Sequence, residues 1–133
     1  MLRFTVPGTP VAKGRPRVTT RNGFARTYTP QKTVAYEGLI ALAAQTAMSG
    51  SPQYAGPVSL TVTATFPIPS SWSKRRQADA LWHTGKPDGD NILKAVGDGL
   101  NGVVWKDDSQ VASARIIKRY GAIPGLTVEV APL

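Results

Sequence analysis

Between Val58 and Phe66 the chain alternates without a fault. Val58, Leu60, Val62, Ala64 and Phe66 are apolar, and Ser59, Thr61, Thr63 and Thr65 between them are polar. Successive strand side chains point to opposite faces, so this run predicts a strand with one face buried and the other wet. A slip of one residue would turn the whole apolar set into water, so the register of this strand is strongly fixed. The rest of the chain must pack around it. Leu2, Phe4 and Val6 alternate with Arg3 and Thr5 before Pro7-Gly8-Thr9-Pro10 ends the run, and Leu126, Val128 and Val130 alternate with Thr127 and Glu129. Residues 103–107 and 111–120 also read as extended.

Two main helices are predicted. Thr29-Pro30 has the form of an N-cap followed by proline at the first helical position, Val34, Leu39, Leu42, Ala43 and Ala47 offer an apolar face, and Gly50 is a stop. The second helix spans 91–101, with Asp90 as N-cap, Ile92, Leu93, Val96 and Leu100 inward, and Gly102 after its end. A short helix near Ser71 is also expected. Asn22-Gly23 between β-prone flanks predicts a two-residue hairpin turn within a basic N-terminal flap. Strands and helices in mixed order over 133 residues predict a single small α+β domain with a mixed or antiparallel sheet.

Charge narrows the function. Sixteen Lys and Arg stand against eight Asp and Glu, a net charge of +8, which attracts polyanions and makes nucleic acid the first partner to consider. Lys13, Arg15, Arg17, Arg21 and Arg26 in the flap, with Lys74, Arg75, Arg76 and Lys86 further on, are the expected DNA contacts. With no cysteine and only His83 among histidines, thiolate and all-histidine metal sites are excluded within one chain. Met1-Leu2-Arg3-Phe4 lacks the apolar core of a secretion signal, and no apolar run reaches about 18 residues, so a cytoplasmic protein without a membrane partner is expected. No Gly-rich nucleotide-binding turn is present, and no organic cofactor is expected.

Five of the eight acidic residues, Asp88, Asp90, Asp98, Asp107 and Asp108, fall within 88–108. Clustered carboxylates repel one another unless a cation lies among them. Asp88 and Asp90 are expected to project to one side of an extended segment. A helix over 91–101 runs about 16 Å, and five extended residues cover about the same distance back, which would bring Asp107 and Asp108 level with Asp90. Hard oxygen donors suit magnesium or manganese. Lys94, four residues beyond Asp90, falls on the same helix face, where an ammonium can hold a phosphate or a departing oxygen. Taken singly, Asp90 is an ordinary cap, Asp107-Asp108 a turn and Lys94 a solvated helix residue; their combination is what points to a site. Asp98 is expected at the surface or behind the ligands. Trp72, Trp82 and Trp105 are expected in the core or an interface, and His83 to be structural or close to substrate.

Lys86-Pro87-Asp88-Gly89-Asp90-Asn91-Ile92-Leu93-Lys94, Asp98-Gly99-Leu100-Asn101-Gly102 and Val104-Trp105-Lys106-Asp107-Asp108-Ser109-Gln110-Val111 resemble the signature of RusA-like Holliday junction resolvases. Val6-Pro7-Gly8 and Lys13-Gly14-Arg15-Pro16-Arg17 are similar to the N-terminus of that family. The resemblance implies an α+β homodimer that uses Mg²⁺ or Mn²⁺ to cut four-way junctions symmetrically. It places metal-binding aspartates on Asp88, Asp90 and Asp108, with Asp107 the less certain neighbour, and an essential lysine on Lys94. Many members are phage or prophage encoded. Gly89 and Gly97 depart from the larger or helix-forming residues common there, and Gly97 is expected to loosen the helix by up to about 1 kcal/mol. A non-catalytic nucleic-acid-binding protein and a nucleotide-sugar transferase are the competing readings.

Overall fold

The computed structural model describes residues 1–12, 17–21, 24–28 and 31–133, with the backbone alone for 17–21 and 24–28. In chain order the elements are β1 (Leu2–Pro7), β2 (Arg17–Arg21), β3 (Phe24–Tyr28), α1 (Gln31–Met48), β4 (Val58–Pro67), α2 (Lys74–Asp79), α3 (Gly89–Leu100), β5 (Val111–Gly121) and β6 (Gly125–Pro132). Four strands form one sheet in the order β1-β6-β4-β5, in which β4 and β5 are parallel and the other pairs antiparallel. This is the mixed sheet of an α+β domain. β2 and β3 form a separate antiparallel ribbon paired from Arg17↔Tyr28 to Arg21↔Phe24. Asn22-Gly23 and Thr29-Pro30 lie outside the described residues.

The alternation of β4 is realised in full: Val58, Leu60, Val62, Ala64 and Phe66 are all buried. Leu2, Phe4 and Val6 of β1 and Leu126, Val128 and Val130 of β6 are buried on the same side, against Ile40 and Ala44 of α1 and Ile92, Val96 and Leu100 of α3. Each large aliphatic or aromatic group so buried contributes about 1.5–3 kcal/mol. The other face of the sheet carries polar cross-strand pairs: Thr5 Oγ1 lies 3.4 Å from Thr127 Oγ1, and Arg3 Nε lies 3.7 Å from Glu129 Oε1. Gly99 lets α1 and α3 cross closely, because a Cβ there would lie 2.9 Å from Ile40 Cγ2 and 3.1 Å from the Glu37 carbonyl oxygen.

Three local expectations are corrected. The inward face of α1 is Thr33, Tyr36, Ile40, Ala44 and Met48, while Val34, Leu39 and Leu42 are exposed. Apolar groups surround most of this helix, so periodicity did not single out the buried stripe. Secondly, α3 starts at Gly89, which makes Asp88 its N-cap residue and puts Asp90 in its first turn. Thirdly, 103–107 is not an extended return. The amides of Val103 and Val104 both donate to the Leu100 carbonyl at 3.0 Å, and the Gly102 amide donates to the Trp105 carbonyl at 2.8 Å, which closes a tight turn. A one-turn 3-10 helix at Asp108–Gln110 then leads into β5. Among the described residues, no helix is long and apolar enough to cross a membrane.

Candidate active site

The α3 helix carries its polar residues in a stripe. Asp90, Lys94, Gly97 and Asp98 recur at helical spacing, and all four line a cleft of about 350 Å³ floored by Leu60, Leu93, Val111 and Ala114. The turn after α3 sends Asp108 into the same cleft from the other side. Its carboxylate oxygens lie 3.8 Å from where a Cβ on Gly97 would stand, so this glycine leaves the carboxylate ordinary contact space against the helix backbone. Asp108 is thus level with Gly97, seven residues or about 10 Å along the axis from Asp90. The expected return would have brought it level with Asp90; the tight turn shortens that path.

Asp108 does not hang freely. The indole Nε1 of Trp105, a fully buried side chain, donates to Asp108 Oδ1 at 2.9 Å. Gln110 pins the turn from below: its Oε1 accepts from the amides of Lys106 (3.0 Å) and Asp107 (3.2 Å). Its Nε2 donates to the carbonyls of Tyr54 (2.7 Å) and Gly56 (3.0 Å). The sequence reading gave Gln110 no role and placed Trp105 in the core or an interface without a site partner. A buried indole needs a hydrogen-bond acceptor, and an acidic residue three positions later was the available signal.

The remaining candidates are placed differently. Asp88 is exposed and lines a separate cavity with Ala12, Lys86, Pro87 and Asn91. Gly89 opens the helix between Asp88 and Asp90, so the two aspartates do not share the straight segment that the period-two argument assumed. The glycine itself is held close to the sheet, since a Cβ there would meet Ile116 Cγ2 at 3.1 Å. Asp107 is the N-cap residue of the 3-10 turn: its carbonyl accepts from the Gln110 amide at 3.0 Å and its carboxylate from Ser109 Oγ at 3.1 Å. Asp98, expected at the surface or behind the ligands, lines the cleft. Among the described residues, no three acidic or histidine side chains are grouped closely enough to hold a metal ion.

Of the basic candidates, Lys74, Arg75 and Arg76 lie exposed on α2, and Lys86 is exposed beside Asp88. Arg17 and Arg21 fall on β2 and Arg26 on β3, while Lys13 and Arg15 lie outside the described residues. His83 stacks on Phe66 with ring centroids 3.8 Å apart and meets Tyr120 edge-on at 5.1 Å. Burial, and then the charge of Lys118, lower its pKa from the ordinary 6.5.

A cleft that gathers carboxylates and one ammonium in a strongly basic protein is a candidate site for phosphate chemistry. The chain is similar to the uncharacterized protein YqaN of Bacillus subtilis (strain 168), 39% identical over 137 residues that cover 97% of this chain and 94% of that protein. Residues 7–131, which include every element from α1 to β5 and all the cleft residues, match the family described as endodeoxyribonuclease RusA. This chain belongs to the RusA endodeoxyribonuclease family.

Proposed function

We propose that this protein is a magnesium- or manganese-dependent endonuclease that resolves four-way DNA junctions by paired cuts, acting as a homodimer. The observation that carries the reading is the shared cleft of Asp90, Lys94 and Asp108. Its acidic groups are oxygen donors only, which fits a hard divalent cation in kind. Asp90 and Asp108, which line the cleft, would hold such an ion. A bound ion supplies neutralisation of the charge that develops on the scissile phosphate. The protein's own part is to hold the reacting groups. Lys94, exposed at the cleft, binds the phosphate and stabilises charge on the departing oxygen. Trp105 fixes the Asp108 carboxylate, and water attacks in line, leaving 5′-phosphate and 3′-hydroxyl ends.

A four-way junction has two equivalent strands to cut, so a twofold dimer with one cleft per subunit suits its symmetry. The surface suited to self-association is the apolar groove lined by Phe4, Val6, Leu39, Leu42, Ala43 and Ala47, where two chains of charge +8 can meet without facing like charges. Size-exclusion chromatography with light scattering tests the dimer. Incubating protein with a labelled junction, with and without magnesium and against duplex, fork and flap controls, tests the activity. Asp90→Asn should abolish cleavage and leave junction binding intact; near wild-type cutting by this variant rules out the cleft.

The dispersed positions of Asp88 and Asp107 favour a second reading, a DNA-binding protein that does not cut. Uncut junction at saturating protein and magnesium selects it.

A further inference from the structure

A second cavity, of about 710 Å³, is lined by Trp72, Arg76, Asp79, Trp82, Gly85 and Tyr120, among others. Its volume falls within the roughly 300–1,000 Å³ typical of small-molecule sites. Tyr120, Trp72 and Arg76 in its wall belong to a continuous series of stacked and edge-on groups that begins behind it. It starts at buried Phe66 and passes through His83 (3.8 Å) and Tyr120 (5.1 Å) to Trp72 (5.2 Å). It ends with the Arg76 guanidinium, 3.7 Å over the Trp72 ring. The backbone behind this wall is fixed as well. His83 donates its amide to the Lys118 carbonyl (3.1 Å), Tyr120 donates to the Leu81 carbonyl (2.9 Å), and Lys118 Nζ donates to the Gly85 carbonyl (2.6 Å).

Trp82 lines the same cavity and is 63% exposed. Among the described residues its indole has no aromatic or cationic partner. A large planar group left open beside a rigid aromatic wall loses little freedom when a flat ligand stacks on it. The charges of Arg76 and Asp79 balance within the cavity, which suits a neutral ring with polar edges, while Lys74 and Arg75 on the same short helix suit the phosphate attached to it. Gly85 is three residues from Asp88, at most about 10 Å of chain, or about three nucleotides at 3.4 Å per step along one strand.

We propose that this cavity binds an unpaired nucleobase of branched DNA by stacking, with Trp82 and the Trp72–Arg76 pair as its platform. The proposal rests on the DNA reading above and adds to it a sensor for unpaired bases close in the chain to Asp88 and the start of α3. Such a contact reads a π-face, so it discriminates open from paired DNA without discriminating sequence.

The test uses the full chain in EDTA and two DNA ligands of equal length, a fork with 2-aminopurine at the first unpaired position and a fully paired duplex. Wild type should quench the unpaired probe. Trp82→Ala should abolish the quench and weaken fork binding about tenfold, with duplex affinity changed less than about twofold. Trp82→Phe should restore most of both. Because Trp82 is exposed, folding is checked by an unchanged melting temperature. Equal weakening of fork and duplex, or no weakening of either, overturns the stacking site while the DNA reading stands. Failure of wild type to bind the fork also overturns the stacking site, and the junction-cleavage assay decides the DNA reading separately.

Discussion

The buried indole of Trp105 and the carboxylate of Asp108, three residues apart, are joined by a 2.9 Å hydrogen bond that aims one acidic group across the cleft at the polar stripe of α3. The donor is enclosed and neutral, and the acceptor is charged at the edge of solvent. Trp105→Phe keeps most of the ring volume and removes the donor. A buried hydrogen bond to a charged group is worth about 1.5–3 kcal/mol, and loss of a partner that orients a metal ligand typically costs about 10–100-fold in activity or metal affinity. The variant should therefore melt lower, and its junction cleavage should need more magnesium for half-maximal rate. Unchanged magnesium dependence would mean that the indole serves packing alone.

Lys94 is exposed and projects from α3 four residues after Asp90. Lys94→Met should leave the melting temperature within about 2 °C, since exposed substitutions of this kind cost at most about 0.5 kcal/mol. It should slow single-turnover cleavage by about 10²–10³-fold, the usual loss for one transition-state donor. Lys94→Arg keeps the charge but changes its shape, and partial rescue is expected. A rate close to wild type for Lys94→Met would remove the lysine from the reaction.

The two glycines in the last turn of α3 should respond in opposite ways to alanine. At Gly99 the added methyl would stand 2.9 Å from Ile40 and 3.1 Å from the Glu37 carbonyl oxygen, so α1 must shift. Overpacking of this kind costs about 1–3 kcal/mol. At Gly97 the nearest atoms are those of the Asp108 carboxyl at 3.8 Å, an ordinary contact, and alanine gains up to about 1 kcal/mol in helix propensity. Chemical denaturation should show Gly99→Ala destabilised and Gly97→Ala stabilised. The methyl of the second variant also enters the cleft, so reduced cleavage in a more stable protein is the expected combination.

His83 has a pKa held below its ordinary value of 6.5 by burial and by Lys118, and its Nδ1 is buried without a hydrogen-bond partner among the described residues. A folded-state value below the unfolded one means that the unfolded chain takes up the proton first. The neutral ring therefore contributes stability fully above pH 6.5, and that contribution is lost as pH falls from there through the folded value. Wild type should lose melting temperature more steeply than His83→Phe as pH is lowered from about 7 to about 5. Parallel curves would show that the ring does not titrate differently in the two states.

The strands of the main sheet were legible because their information is local. The alternation in 2–6, 58–66 and 126–130 states both the element and the buried face, and the folded chain uses all three as written. Within the carboxylate window only the pairing of Asp90 with Lys94 was local in this way, because residues four apart share a helix face wherever that helix packs. Tertiary structure decided what local pattern leaves degenerate. Apolar residues lie on several sides of α1, so contact with α3 and β1 chose Tyr36, Ile40 and Ala44 for the core and left Leu39 and Leu42 outside. Neighbours Asp107 and Asp108 are chemically equal in sequence. The Trp105 indole drew one into the cleft, and the capping of the 3-10 turn took the other. The length of the return after α3 depended on Gln110 bonding to carbonyls 54 and 56 positions earlier, contacts that only the folded chain brings together.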